Sequence, residues 1–358
     1  MNTRLATILA REDLNQSGTK VIDINILDLI SRIMVVFTAK NGADAIIAHP
    51  AANVTKIEIV DGSDVLFSLS GKQAQGVNFY DRPIKPFNYT DTIDAHWNTA
   101  AMGIDFGRFL FDQALAFDPK KFTNPQLKIT WDERLCQANC SDNYCTVLAD
   151  IFDELVPTPT GFFMTKEIYN YTIAETGYEY IDLPTDYITQ QIFVRTQLAE
   201  NVFEGIIDEL KLSEDNDKRI PLDISTGNLI RRVLEQYPPV METSLLDGQT
   251  SATDSYVMPT DIVHVLVSEY GAIGPASAWT LDGGKIGYIG TNATGALKAI
   301  IFGYYPHGVA PLLPKPGPEI ADWYDVTKLG SLRLRIKDSA ASATTPSGQV
   351  ITKQYRTY

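Results

Sequence analysis

Residues 180–195, Tyr-Ile-Asp-Leu-Pro-Thr-Asp-Tyr-Ile-Thr-Gln-Gln-Ile-Phe-Val-Arg, lie over residues 21–36 without a gap. Ile22 falls on Ile181, Asp23 on Asp182, Leu29 on Ile188, Ile33 on Ile192 and Val35 on Val194, at an offset of 159 residues. Each copy ends in a β-rich run, as a sheet strand does. A fold that accepts this chain must therefore use one β unit twice, provided later landmarks recur in the same order.

They recur. A strand-like run at 65–69 precedes Gly71-Lys72-Gln73, and the segment closes at Tyr80-Asp81-Arg82-Pro83. A second run at 220–224 precedes Gly227-Asn228-Leu229, closing at Tyr237-Pro238-Pro239. Ile104-Asp105-Phe106-Gly107-Arg108 is echoed by Ile300-Ile301-Phe302-Gly303-Tyr304. Phe117-Asp118, Lys121-Phe122 and Leu127-Lys128-Ile129 are echoed by Tyr324-Asp325, Lys328-Leu329 and Leu332-Arg333-Leu334. Both halves close on alternating strands, at 146–152 and 350–355. The growing offset places insertions in the second copy, within 240–320. The expected division is an arm at 1–19, a first unit at 20–157 and a second at 158–358. The boundary lies in Pro157-Thr158-Pro159-Thr160-Gly161, a stiff run poor in hydrogen bonds.

Within the units, Asp61-Gly62 predicts a hairpin between 56–60 and 64–69, and Leu229 to Gln236 predicts a helix. Residues 81–101, 241–260 and 276–296 read as exposed loops. The proline-rich 305–318 reads as loop outside any sheet interior. Residues 338–348 and 136–145 read as equivalent hairpin tips. In the arm, Leu5, Ile8 and Leu9 share one face at helical spacing, among Arg4, Arg11, Glu12 and Asp13. This predicts a short amphipathic helix that needs a partner to be stable and gives no strand to either unit.

A net charge of −14 excludes a general nucleic-acid binder, which draws affinity from clustered Lys and Arg. No apolar run approaches the ~20 residues of a membrane span, and the N-terminus has no signal-peptide pattern. Cys136, Cys140 and Cys145 lack the CxxC bracket and fourth ligand that zinc requires, so they read as free thiols. Asp208, Glu209, Glu214, Asp215 and Asp217 lack the spacing of a calcium loop and read as a solvated hairpin tip. The scattered His49, His96, His264 and His307 form no motif. No Gly-x-Ser-x-Gly elbow, His-Glu-x-x-His pair or phosphate loop occurs; Gly283-Gly284-Lys285-Ile286 lacks the phosphate-loop pattern. No catalytic, cofactor or metal residue is therefore assigned. An enzyme reading rests only on the paired carboxylates that any acidic chain contains. Asn-x-Ser/Thr sequons, among them Asn53, Asn88, Asn139, Asn170 and Asn292, receive no role.

Two tandem eight-stranded units, each with a short helix after its fourth strand, resemble the double jelly-roll major capsid proteins of tailless, membrane-containing icosahedral DNA viruses. The resemblance covers roughly residues 20–358. It rests on Gly177 to Pro184 followed by Ile188-x3-Ile192-Phe193-Val194-Arg195, on Ile104 to Arg108 with Asp118 and Phe122 to Ile129, and on the ending Gln354-Tyr355-Arg356-Thr357-Tyr358. It implies an all-β fold and a homotrimer whose six jelly rolls form a pseudo-hexagon in a virus shell. It also implies neighbouring trimers and vertex proteins as partners, and an internal membrane facing the arm. No enzyme activity, cofactor or sequence-specific nucleic acid is implied. A second reading is a virion spike or a carbohydrate- or receptor-binding β-sandwich, with Trp97, Trp279 and Trp323 available for sugar stacking. Assembly separates the two, because a shell subunit buries thousands of Å² against identical copies.

Overall fold

The computed structural model describes residues 2–42, 46–136, 140, 142–154, 157–173, 176–270, 276–290, 296–339 and 345–358. Its first half runs β1 (Thr3–Asp13), β2 (Ser17–Asp23), β3 (Ile30–Lys40), β4 (Val54–Asp61), β5 (Asp64–Leu69), α1 (Gly71–Asp81), β6 (Asn88–Asp91), β7 (Trp97–Asp105), β8 (Pro125–Asp132) and β9 (Asn143–Phe152). Its second half begins with β10 (Gly161–Thr172), β11 (Tyr178–Asp182), β12 (Ile188–Thr196), β13 (Ile207–Glu214), β14 (Arg219–Ser225) and α2 (Thr226–Gln236). Then come β15 (Val240–Asp247), β16 (Thr253–Tyr256), β17 (Pro259–Tyr270), β18 (Ser277–Asp282), β19 (Lys285–Ile289), β20 (Ala296–Pro306) and β21 (Val309–Pro311). The chain closes with β22 (Leu332–Asp338) and β23 (Ser347–Thr357).

One topology appears twice. The first half supplies β1-β9-β3-β7 and β2-β8-β4-β5; the second supplies β10-β23-β12-β21 and β11-β22-β13-β14. Four strands face four in each, the two-sheet arrangement of a jelly roll. Strict alternation of buried and half-exposed residues in β8 and most of β9 turns one face of each strand into the core. The equivalence extends to irregularities. The ladder slips between Ile30 and Arg32 against β9, and between Thr189 and Gln191 against β23. Phe117 exchanges both backbone hydrogen bonds with Ile30, as Tyr324 does with Thr189. Ile30 and Thr189, like Arg32 and Gln191, keep the 159-residue offset read from the sequence.

The helices are equivalent too. Ser70 caps α1, its hydroxyl accepting from the Gln73 amide while the Gln73 side chain accepts from the Ser70 amide. Ser225 holds the same place before α2, without a side-chain cap bond. Residues 240–306 are the divergent part. There β15, β20 and β17 extend the first half's sheet beyond β6, and β16-β19-β18 form a small sheet of their own. One apolar core runs through both halves, from Ile33, Val35 and Ile57 to Ile192, Leu210 and Leu334.

Several expectations need correction. Residues 3–13 form strand β1, paired along β9, and not a helix. Two bulges, after Thr7 and after Leu9, break the strand's alternation and leave Ala6, Ile8 and Leu9 half-buried in a spacing that imitates a helix. Residues 81–101, 241–260 and 276–290 contain β6, β7, β15, β16, β18 and β19, with Thr90, Asp91, Leu246 and Met258 buried. In 305–318, β21 is an edge strand, where Pro311 is tolerated because one side of its backbone needs no ladder partner. The echo of 104–108 at 300–304 is not structural: β12 takes β21, not β20, where β3 takes β7. Three-residue β21 is too short to show a pattern. Leu127 pairs with Ile22 while Leu334, not Leu332, pairs with Ile181; the sequence match is two residues out of register and keeps the same face. The Asp61-Gly62 hairpin and α2 are as expected, Gly62 taking a positive φ. Residues 137–139, 141 and 340–344 of the two expected hairpin tips, and 291–295, lie outside the described residues.

Candidate functional site

The feature that distinguishes this chain from two independent sandwiches is the junction between its halves. Two parallel pairings cross it: β5 with β10, through Phe67–Thr165 and Ser68–Lys166, and β6 with β15, through Thr90–Ser244 and Asp91–Leu245. Each fuses a sheet of the first half to strands of the second.

Side chains lock the junction. Phe162 of β10 packs edge-on against Phe106, Phe117 and Phe122 of the first half, at centroid distances of 6.3, 5.5 and 5.8 Å. Tyr80 of α1 donates to the Val309 carbonyl at 2.8 Å and meets the Tyr237 ring edge-on. Lys353 of β23 is 1% exposed; its ammonium lies 2.6 Å from Asp81 and 4.0 Å from the centre of the Phe163 ring. Burial raises the Asp81 carboxyl above its usual range, and Lys353 opposes that shift. Arg356 holds Asp64 with two hydrogen bonds of 3.0 and 2.5 Å, a forked pair across the same seam.

A buried polar cluster sits beneath α1. His49 Nδ1 accepts from the Ala51 amide, which places the ring proton on Nε2, and Nε2 donates to Glu242 at 2.9 Å. Glu242 also accepts from the Met258 amide at 2.5 Å and from Thr90. His307 donates from Nε2 to Gln75 at 2.9 Å, and its ring meets His49 edge-on at 4.6 Å. Burial holds His307 well below the usual imidazole range, with His49, Lys72 and Arg195 adding to the shift, so it is neutral. Every member is satisfied except His307 Nδ1, and the cluster joins residues far apart in sequence. Such a cluster fixes one packing of the halves.

The residues weighed from the sequence are not brought together here. Cys136 and Cys145 are buried, Cys140 is half-buried, and all three are free thiols. Among the described residues, no three His, Cys, Asp or Glu side chains could hold a metal ion, and no helix is long and apolar enough to cross a membrane. Asp215, Asn216 and Asp217 form the tip between β13 and β14, all with positive φ, and Asp217 pairs with Lys211. His96 pairs with Asp91. Of the tryptophans, Trp323 is buried against Phe163 and Tyr355, Trp97 packs on Tyr144, and only Trp279 is exposed. They form no sugar platform. The junction residues carry no motif. The one sequence signal for them is a charge inside an apolar strand, as with Lys353 in Val350-Ile351-Thr352-Lys353-Gln354-Tyr355.

This architecture, compared with solved structures, matches viral shell subunits over nearly their full length. The major capsid protein of Sulfolobus turreted icosahedral virus aligns with a TM-score of 0.62 and 11% identity, over 99% of this chain and 97% of that one. The fold is a double jelly roll. The PBCV-1 virus capsid protein aligns at 0.58 and 12% identity, over 99% and 94%. The major capsid protein of bacteriophage PM2 aligns at 0.55 and 10% identity, over 99% and 98%. No family model and no curated protein matches the sequence. At such identity the likeness is one of overall fold, and the side chains are this chain's own.

Two clefts lie on the described surface of this double jelly roll. A cleft of about 240 Å³ at the junction is lined by Tyr80, Asp81, Arg108, Tyr237, Lys315 and Lys353. Another of about 250 Å³ lies on the four-stranded sheet beside Tyr180, Lys211, Arg333 and Arg335. Their charged groups are engaged in Asp81–Lys353, Arg108–Asp112, Lys211–Asp217, Arg333–Asp182 and Arg335–Glu209, and the Lys315 ammonium lies over the Tyr237 ring.

Proposed function

We propose that this chain is the major capsid protein of an icosahedral virus, a non-enzymatic subunit that assembles as homotrimers into the shell. The observation that carries the reading is reciprocal coverage. Three capsid subunits match this chain from end to end, so its fold is that of a shell subunit throughout. The locked junction supports it, because a shell subunit needs its two halves held as one rigid block. Self-association and neighbouring subunits are the primary partners, and the virion is the location.

The division of the chain at 157/158, with insertions in 240–320, belongs to the same proposal, with residues 1–19 assigned to the first unit because β1 pairs along β9. Vertex proteins and an internal membrane around a DNA genome belong to it as well. The segment expected to meet lipid is taken up by β1 and β2, so membrane contact falls to another part of the subunit. The spike or carbohydrate-binding reading is less favoured because Trp97 and Trp323 pack on neighbouring rings and share no face with Trp279.

Light scattering on the purified chain, with electron microscopy of the same fraction, tests the proposal. The expected result is a particle three times the 39.7 kDa chain mass with a six-cornered outline. A monomer at micromolar concentration would overturn it, since obligate interfaces of thousands of Å² do not dissociate there.

A further inference from the structure

The internal repeat predicts how one copy meets the next. Within the chain, the outer strand of the first half's four-stranded sheet, β5, lies parallel to the opening strand of the second half, β10. The equivalent of β5 in the second half is β14, which ends its sheet; the equivalent of β10 in the first half is β1, which also ends its sheet. We propose that β14 of one copy pairs in parallel with β1 of a second copy of this chain, repeating the β5–β10 seam between subunits. This rests on the shell-subunit reading above and names the contact that closes the ring.

The ladders fix the register. Ile59 pairs with Phe67 as Leu212 pairs with Leu222, so Leu222 stands where Phe67 does and Asp223 where Ser68 does. Thr165 pairs with Lys353 as Leu5 pairs with Asp150, and the same bulge follows, between Glu167 and Tyr169 in β10 and between Thr7 and Leu9 in β1. Thr165–Phe67 and Lys166–Ser68 then predict Leu5 opposite Leu222 and Ala6 opposite Asp223.

Three observations favour this seam. Thr165 is 3% exposed under its β5 neighbour, whereas its counterpart Leu5 is 60% exposed on an open edge. A large apolar side chain on a bare strand edge is a pairing site unless something covers it. Second, the Arg356–Asp64 pair has a counterpart with both signs reversed. Asp153 follows β9 as Arg356 closes β23, and Arg219 opens β14 as Asp64 opens β5. Within one chain Asp153 pairs with Arg4 and Arg219 with Glu214; the proposed seam brings these two opposite charges to face each other. Third, Gln73 donates to Glu167 in the internal seam, and the counterparts Asn228 and Thr7 are exposed polar groups able to do the same.

The test is an oxidative cross-link and a charge exchange on the full chain. A6C and D223C together should join subunits into a covalent trimer on a denaturing gel, since facing strand residues have the Cα separation a disulfide accepts, about 4.4–6.8 Å. Either change alone, and A6C with S213C one strand further in, should give none. D153R or R219D alone should weaken association roughly tenfold or more, and the double exchange should restore most of it. Asp153 is half-buried beside Arg4, and Arg219 lies against Glu214, so circular dichroism first checks that each variant folds. A wild-type trimer in which A6C/D223C fails to cross-link overturns the seam and leaves the shell reading intact. A covalent ladder beyond three supports the seam and overturns the trimer. A wild-type monomer at micromolar concentration removes both.

Discussion

Phe117 and Tyr324 hold one place in two copies of a fold, so truncating each in turn asks what the junction adds. Phe117 is fully buried. Its ring stacks on Phe106 at 4.9 Å and on Phe122 at 5.0 Å and meets Phe162, across the junction, at 5.5 Å. Truncating a buried Phe to Ala costs about 3–5 kcal/mol, and each aromatic pair contributes about 0.5–1.5 kcal/mol beyond its area. Three partners place Phe117→Ala at the upper end, about 4–5 kcal/mol. Tyr324 is half-buried, its hydroxyl donates to Glu214 at 2.5 Å, and among the described residues no aromatic ring stacks on it. Tyr324→Ala should cost about half as much, roughly 2 kcal/mol. Urea unfolding followed by tryptophan fluorescence reads both, because Trp131 and Trp323 are buried, one in each half. Equal costs at the two positions, or a Phe117→Ala cost below about 1.5 kcal/mol, would show that the rings of the junction contribute nothing to stability.

Deleting residues 2–13 should abolish soluble folded protein, since β9 loses a partner strand and Ile8 and Leu9 their place on the core; a folded, fully soluble deletion product would refute this. Burial pushes the Asp261 carboxyl up to about 7, against the hydrogen bond it accepts from the Phe203 amide. With the folded value above the unfolded one, its contribution is fully present below about pH 4 and is lost as pH rises through about 7, so wild type should lose roughly 3 kcal/mol relative to Asp261→Asn over that window. Melting curves of the two proteins at pH 4 and pH 8 check the sign. Burial raises all three thiols, Cys140 and Cys145 to about 12, so Ellman's reagent at pH 8 should react slowly with native protein and reach three thiols only in denaturant. Ala at Gly308, whose φ is +74° and whose added Cβ would lie 1.8 Å from the Thr196 carbonyl oxygen, should cost at least about 2 kcal/mol in the same urea assay.

The repeat was legible because β2 and β3 hold the places of β11 and β12, so core residues such as Ile22 and Ile181, or Ile33 and Ile192, recur at one offset. Phe117 and Tyr324 were legible as aromatic residues followed by Asp, each in the same order before a Lys and a strand. Strand β1 was not: bulges move its side chains off strict alternation, and the sequence shows only their spacing. Nor was β20 distinguishable from a repeated strand, because a long apolar strand has the same composition wherever it pairs. The junction was the least visible part. Its cluster draws single residues from 49, 75, 242 and 307, and nothing local marks a histidine that will be desolvated by a segment two hundred residues away. The acidic run at 214–217 was legible as a hairpin tip, and it lies between β13 and β14.

The forked pair between Arg356 and Asp64 bears on how a duplicated chain avoids folding onto itself wrongly. Strands β1 and β10 share a register and a bulge, so both are competent to lie along β5 while the chain is still collapsing. If β1 and β9 took that edge, Asp64 would face Asp153; with β10 and β23 it faces Arg356. One charge thus sorts two strands that hydrogen bonding alone treats alike. It works before the product exists, by making the wrong copy a poor competitor for the edge. Exchanging Arg356 and Asp153 would leave every ladder bond available and would send part of each preparation into exchanged halves, seen as aggregates whose strand content is that of the native protein.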